Sequence, residues 1–365
     1  MKIAYIIDTD ISSENSILEK ISAQVRIWEK DGNKVVIFSL LSKNKVSLIS
    51  NGIICQNITE FDSKLSYIKA VSNLKYLLNE YNPDILYIRY IRYIPGLIGA
   101  LKSTNSPYIV EINTNDIEEN KLGKMTKRFY NSLTRNFLLS NASAFVCVTS
   151  ELKNNKYFKK FNKASIVLAN GIDTNLFKNS IRKSNNRCVF IGTAKQSWQG
   201  FEKVLDIAKY IPYITFDVIG ISKEDLKDFV IPSNVKIHGF VPLKDNMKII
   251  QQAIVGIGTL SLYKKNMNEA CALKTRQYLA QGLPVILGYS DTDIMEKKLD
   301  FILEIANKED NVKQNLIKIE EFINSMKYYD SSIIVKFSKD SLDIEVKERK
   351  RLEFMRSILD VFSVS

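Results

Sequence analysis

The sequence predicts an α/β protein made of two doubly wound, Rossmann-like domains. Three observations carry this reading. Short apolar runs alternate with stretches of helical periodicity along almost the whole chain. Polar loops follow successive apolar runs, as they do at the carboxyl ends of parallel strands. The alternation then restarts after Asn170-Gly171, a turn signal near the middle of the 365 residues. That length suits two domains of moderate size.

The elements follow in order. Ile3–Ile7 is an apolar run of the kind found in a buried parallel strand. Ile17–Lys30 places apolar residues at 17, 18, 21, 25 and 28, which is helical spacing, and Asp31-Gly32-Asn33 stops it. Lys34–Leu40 is the next strand. Ala70–Tyr81 reads as a helix, and Ile85–Ile88, Tyr108–Ile112 and Ala144–Val148 read as strands. After Ile166–Leu168 and the Asn170-Gly171 turn come the strands Cys188–Ile191, Thr215–Ile219, Val235–His238, Ile254–Ile257 and Pro284–Leu287, with helices from Gly200 and Leu273. Ser341–Phe362 reads as one charged amphipathic helix. The expected domains are 1–168 and 169–340, with the helix of 341–365 returning to the first.

Composition narrows the function classes. Apolar residues make up 45% and charged residues 25%, which excludes a disordered chain. The run after Met1-Lys2 is too short for a signal peptide, and no apolar stretch approaches the roughly 20 residues that span a bilayer. Four scattered cysteines and a single histidine, His238, argue against a zinc site and for a reduced, cytoplasmic protein. With a single histidine, any Ser-His-Asp or Cys-His arrangement would have to be built on His238. The net charge is +12, and its main concentration lies between Lys121 and Lys163. A basic patch of this kind attracts phosphates.

One stretch carries a motif. Glu269-Ala270-Cys271-Ala272-Leu273-Lys274 leads into Gln277-Tyr278-Leu279-Ala280 and then Gly282-Leu283-Pro284-Val285-Ile286. Weaker pieces stand in a consistent order around it: Asn170-Gly171-Ile172-Asp173 with Phe177, Gly192 with Trp198-Gln199-Gly200, and Arg89 with Glu111-Ile112-Asn113. Together these resemble the family-four retaining glycosyltransferases of surface-polysaccharide type. The resemblance implies the GT-B fold, two Rossmann-like domains facing a cleft, and a metal-independent, hexosyl-type transfer with no further cofactor. The donor implied is a nucleotide sugar, UDP- or GDP-linked, and the acceptor is a saccharide or lipid-linked saccharide. The sequence departs from the family at three places. Gln277 stands where the second of two glutamates is expected, Thr193 and Lys195 where Arg and Lys usually follow the strand, and Ser12-Ser13 where paired glycines are common.

The chemistry follows from the donor's two phosphates and from a leaving group that gains charge in the transition state. A helix starting near Leu273 presents N–H groups and a favourable dipole, and the small Ala270, Cys271 and Ala272 let a ligand approach them. Lys274 in the first turn, with Lys195, can reach a phosphate. Glu269 is expected on the donor sugar. Gln277, about two turns further along, is expected on the ribose. Gly192, Thr193, His238 and Gly239 complete the expected donor site. Arg89, Asn113 and Asp116 sit at strand ends of the first domain and are expected to position the acceptor. Asp8-Thr9-Asp10 and Asp291-Thr292-Asp293 have the form of a metal-binding D-x-D, but so short a match is expected by chance.

Residues 121–139 place Leu122, Met125, Phe129, Leu133 and Phe137 on one helical face, with basic residues largely elsewhere. This is the pattern of a helix resting on an anionic membrane, so the protein is expected in the cytoplasm and on the inner face of the cell membrane. No nucleic-acid module is recognisable. Two other readings stay open: a non-catalytic or regulatory GT-B-like subunit, and a sugar-nucleotide epimerase on the same fold.

Overall fold

The computed structural model describes residues 1–8, 16–40, 48–49, 53–57, 66–177 and 186–364. Thr9, Asp10, Ser12 and Ser13 lie outside them. The chain divides into two compact units, Met1–Ala169 with Ile344–Ser365, and Asn170–Asp343.

The first unit holds strands β1 (Lys2–Ile7), β2 (Lys34–Ser39), β3 (Leu48–Ile49), β4 (Ile53–Asn57), β5 (Ile85–Arg89), β6 (Tyr108–Ile112), β7 (Ala144–Cys147) and β8 (Ala164–Val167). They form one sheet in the order β3-β4-β2-β1-β5-β6-β7-β8. Every neighbouring pair is parallel except β3 with β4. The central strands are buried, which explains their near-continuous apolar runs. The helices are α1 (Ser16–Lys30), α2 (Ser66–Tyr81), α3 (Leu97–Lys102), α4 (Asp116–Lys121), α5 (Met125–Asn141), α6 (Ser150–Asn154) and α7 (Lys156–Lys159).

The second unit holds β9 (Arg187–Ile191), β10 (Thr215–Ile219), β11 (Val235–Gly239), β12 (Val255–Ile257), β13 (Glu269–Ala270), β14 (Val285–Leu287), β15 (Ser290–Asp291) and β16 (Ile302–Glu304). Six of these form an all-parallel sheet, β11-β10-β9-β12-β14-β16, while β13 and β15 pair apart from it. The helices are α8 (Phe201–Tyr210), α9 (Leu243–Gln251), α10 (Leu273–Ala280), α11 (Leu316–Ser325) and α12 (Ser331–Leu342). Each sheet reverses its strand order once, between β1 and β5 and between β9 and β12. Ligands of such sheets bind beyond the carboxyl ends of the strands at that reversal.

The last helix, α13 (Ile344–Val364), belongs to the first unit. Its Leu352, Met355 and Ile358 enter the core with Ile3, Tyr5, Trp28 and Tyr87. Here the structure corrects the sequence reading of one helix over Ser341–Phe362. Leu342 ends α12, and Asp343 is extended and accepts a hydrogen bond from the Thr174 hydroxyl. The Leu342 carbonyl accepts from Ile172 N–H at 3.0 Å. The periodicity crosses this break because both helices need an apolar face there.

Charge also fixes α13. Glu111 is fully buried at β6, and its carboxylate accepts from Lys20 Nζ at 2.8 Å, Tyr87 OH at 2.5 Å and Arg351 Nη1 at 3.0 Å. Burial alone would raise its pKa, but Lys20, Arg351 and Arg89 together hold the carboxyl well below its usual range. Glu348 accepts from Gln24, Trp28 and Arg351 at 2.8–3.0 Å. Every charge at this hub is answered by another.

Candidate functional site

The motif stretch folds as strand, bend and helix at one place in the second unit. Glu269 is buried in β13, and its register partner is Ser290. Asn170 grips the bend. Its N–H donates to Cys271 Sγ at 3.3 Å, and its Nδ2 donates to the Cys271 carbonyl at 2.9 Å. Ala272 is the N-cap of α10, and no side chain caps that end. The first N–H groups of the helix are therefore left without a side-chain acceptor. Gly282 closes the helix at φ +73°, and a Cβ there would lie 2.8 Å from Ser331, so only glycine fits this turn into β14.

Helix α10 shows two different faces. On one, Arg276 is fully buried. It makes paired bonds of 2.8 Å to Asp291, another of 2.8 Å to Asp293 and one of 2.9 Å to the Asn170 carbonyl. The Asp291-Thr292-Asp293 triplet is thus the counter-ion of Arg276 rather than an open pair of carboxylates. On the other face stand Lys274 and Gln277, one turn apart. Tyr278 joins this side and takes the Ile191 N–H at 2.7 Å.

Lys274 Nζ donates to the Ile191 carbonyl at 3.0 Å and lies 4.1 Å from the centroid of the Phe190 ring. It therefore stands at the end of β9, beside the strand-order reversal. Among the described residues no carboxylate pairs with it. Burial alone pushes its pKa down to about 7. An ammonium has three donors, and one carbonyl uses one of them. Gln277 Nε2 and Asn170 Oδ1 are both buried without a hydrogen-bond partner among the described residues. Orphaned buried polar atoms of this kind call for an explanation, and a ligand is one.

The other expected donor residues lie around the same strand ends. Gly192 is needed for packing, since a Cβ would meet Phe190 at 2.6 Å and Ile221 at 2.8 Å. Thr193 and Lys195 line a cavity of about 460 Å³ with Phe201, Ile221, Phe229 and Lys264. Lys195 itself holds a left-handed backbone, φ +63°. His238 is the penultimate residue of β11, two strands from the reversal, and its Nε2 lies 2.7 Å from Asp217 Oδ1. Buried Asp217 also takes Arg187 Nε at 2.6 Å. Gly239 has φ +67° with open space around it.

In the first unit, a polar cavity of about 240 Å³ opens at the β1–β5 reversal, lined by Asp8, Arg89, Tyr90, Arg92 and Asp116 among others. Arg89 Nη1 is shared between Glu111 at 3.4 Å and Asn113 at 3.1 Å. Asp116 opens α4, and its carboxylate accepts four bonds: two from Arg135 at 2.8 and 2.9 Å, one from Asn131 at 2.7 Å and one from Tyr90 at 2.9 Å. Asp116 is thereby a strut between α4 and α5. Arg89 and Arg92 bring positive charge to this cavity, and Arg92 Nη2 donates to Asn120 Oδ1 at 3.3 Å.

Three residues to which the sequence reading gave no role of their own matter most to this geometry: Arg276, Asn170 as a clamp, and Tyr278. The signal for Arg276 was present in Asp291-Thr292-Asp293, an acidic triplet directly after the motif strand that a buried cation could answer.

With this geometry in hand, the relatives can be placed. Residues 2–149 match the family model described as glycosyl transferase 4-like. No curated protein matches the sequence. Among solved structures, sucrose-phosphate synthase from Thermosynechococcus elongatus superposes with a TM-score of 0.76 at 12% identity over 100% of both chains. Anabaena HepE, solved with UDP and glucose, gives 0.72 at 13% identity over 98% of this chain and 100% of that one. The lipopolysaccharide outer core galactosyltransferase WaaB gives 0.62 at 15% identity over 98% and 100%. The chain has the GT-B fold of these glycosyltransferases. Its first unit carries the glycosyl transferase 4-like sequence pattern, which bears out the resemblance drawn from the motifs.

Proposed function

We propose that the chain is a retaining glycosyltransferase that moves a sugar from a nucleoside-diphosphate donor, UDP- or GDP-linked, to a saccharide or lipid-linked acceptor. Its place would be cell-surface polysaccharide or glycolipid assembly, in the cytoplasm at the inner face of the membrane. The observation that carries this reading is Lys274. It is a half-buried ammonium without a counter-ion among the described residues, set beside the start of α10, which no side chain caps, at the strand-order reversal. A diphosphate supplies the missing negative charge, and it can also accept from the free helix N–H groups. Gln277 Nε2 and Asn170 Oδ1 are available for ribose and sugar hydroxyls. Glu269 is assigned to the donor sugar. The cavity at Arg89 and Arg92 is assigned to the acceptor.

In this reading the protein supplies no nucleophile. The donor phosphate oxygen takes the proton of the acceptor hydroxyl as the sugar passes to it on the same face. Lys274 and the α10 N–H groups stabilise the departing diphosphate, whose charge grows in the transition state. Purified protein incubated with a panel of nucleotide sugars and saccharide acceptors is expected to turn over at least one pair. Absence of both binding and turnover with every donor would sink the proposal. A second reading, a nucleotide-binding subunit without turnover, draws on Gln277 standing where the related enzymes carry glutamate. It predicts donor binding without product. Product formed without any acceptor would point instead to an epimerase.

A further inference from the structure

The polar cavity of the first unit is built around one guanidinium. Arg89 closes β5 at the strand-order reversal and lines this space of about 240 Å³. Its side chain is 20% exposed. An arginine that reaches solvent ordinarily samples many rotamers, but Arg89 is anchored. Its Nη1 donates to buried Glu111 at 3.4 Å and to Asn113 Oδ1 at 3.1 Å. Glu111 is itself fixed by Lys20, Tyr87 and Arg351. The anchor occupies one of the three guanidinium nitrogens. Among the described residues, Nε and Nη2 of Arg89 donate to no protein atom. A guanidinium held still with one edge unused has the fork geometry that grips a carboxylate or a phosphate.

The charges around Arg89 point the same way. Lys20 and Arg351 already stand against the two buried carboxylates of Glu111 and Glu348. Arg89 is a third cation on those two anions. The acids of the cavity are directed elsewhere. Asp116 is bound by Arg135. Asp8 lies in the field of Arg92, and burial pushes its carboxyl up toward the neutral form. Neither these two nor Glu119, which also lines the cavity, forms an ion pair with Arg89 among the described residues. A neutral sugar could accept from the fork but would leave its charge as it stands. An oxyanion meets both the charge and the paired geometry.

We propose that the cavity at the β1–β5 reversal binds an oxyanion through Arg89, so that the acceptor is an acidic or phosphorylated saccharide rather than a neutral one. That the ligand is the acceptor rests on the transferase reading; the anion site itself does not.

Ligand-detected NMR on the full chain tests it, with the methyl glycoside of glucuronic acid, glucose 6-phosphate and neutral methyl glucoside as probes. At least one anionic sugar should bind about tenfold or more tightly than methyl glucoside, and the better of the two names carboxylate or phosphate as the group. Arg89→Gln should cut that affinity about tenfold or more. Glu111 keeps Lys20, Tyr87 and Arg351 in this variant, so the fold should hold. Arg89→Lys keeps the charge but not the fork and should weaken binding about three- to tenfold, which carries the test should Arg89→Gln fail to fold. Lys274→Met should leave the affinity for the anionic sugar unchanged, and Arg89→Gln should leave UDP binding unchanged. Methyl glucoside binding as tightly as the anionic sugars would overturn the proposal. So would no binding of either anionic sugar, or equal binding by wild type and both Arg89 variants. Loss of the anionic sugar in Lys274→Met but not in Arg89→Gln would also overturn it, by placing that sugar beside α10. A wild type that binds neither UDP nor GDP, yet holds the anionic sugar through Arg89, would count against the transferase reading alone.

Discussion

The two faces of α10 carry positive charges of opposite character. Arg276 is deep, planar and fully answered by Asp291, Asp293 and the Asn170 carbonyl. Lys274, two residues earlier, has one carbonyl and a ring face. A third cation in the same unit sharpens the contrast. Lys203 donates to the Leu260 carbonyl at 3.0 Å, the Lys308 carbonyl at 2.9 Å and Asn311 Oδ1 at 2.6 Å. Its three donors have three acceptors. Burial lowers the pKa of both lysines, to about 8 for Lys203 and about 7 for Lys274. Satisfied cations build the unit, and the unsatisfied one is available for a ligand.

Substitutions should separate these roles. Arg276→Met leaves Asp291 buried without its partner, and removing one member of such a pair costs about 3–5 kcal/mol. Denaturant unfolding should show that loss, and a change under about 1 kcal/mol would mean that the Arg276 face is not structural. Lys203→Met strands its acceptors and should cost about 1–3 kcal/mol in the same measurement. Lys274→Met should not destabilise, because it removes a cation that burial penalises. It should instead weaken nucleoside-diphosphate binding by roughly 10- to 100-fold, the worth of a charge-assisted bond or two. A Lys274→Met variant that unfolds like Arg276→Met but binds UDP normally would invert the comparison.

Acidity offers a gentler probe. Lys274 has a folded-state pKa below its unfolded value, so its burial penalty is fully present below about pH 7 and fades as pH rises toward the unfolded pKa. Diphosphate binding runs the opposite way. It needs the charged form and should weaken as pH climbs above about 7, with the slope absent in Lys274→Met. A flat affinity between about pH 6 and 9 would remove Lys274 from the phosphate. The smallest expected effect is Gln277→Glu. A carboxylate in place of the amide adds a charge-assisted bond to a ribose hydroxyl, about 1 kcal/mol or a few-fold in affinity by calorimetry. Weaker binding would mean that Gln277 faces something other than a sugar.

The fold was largely legible because parallel strands buried on both faces announce themselves as apolar runs, as Ile3–Ile7 and Cys188–Ile191 did. The break at Asp343 was not legible. Its cause is a pairing with Thr174 and Ile172 some 170 residues away, which leaves no local trace. The site was legible as a stretch but not in its division of labour. Helical spacing places Lys274 and Gln277 on one face, yet it cannot tell which face meets carboxylates. Asp116 shows the same limit. At a strand end it resembles an acceptor ligand, while the fold occupies it with Arg135, Asn131 and Tyr90. The apolar stripe of α5 at Met125, Phe129, Leu133 and Phe137 was readable as amphipathicity, but its exposure became visible only once Asn131 and Arg135 were seen to fill the buried side.

On the proposed function, Lys274 takes a diphosphate while Arg276 does not. This claim is tested most directly by titrating UDP and GDP into wild type and Lys274→Met at pH about 6.5, with folding checked in parallel. Wild type is expected to bind at least one of the two nucleotides, and the variant, equally stable, to bind it at least about tenfold more weakly. Equal affinity in two equally folded proteins would contradict it.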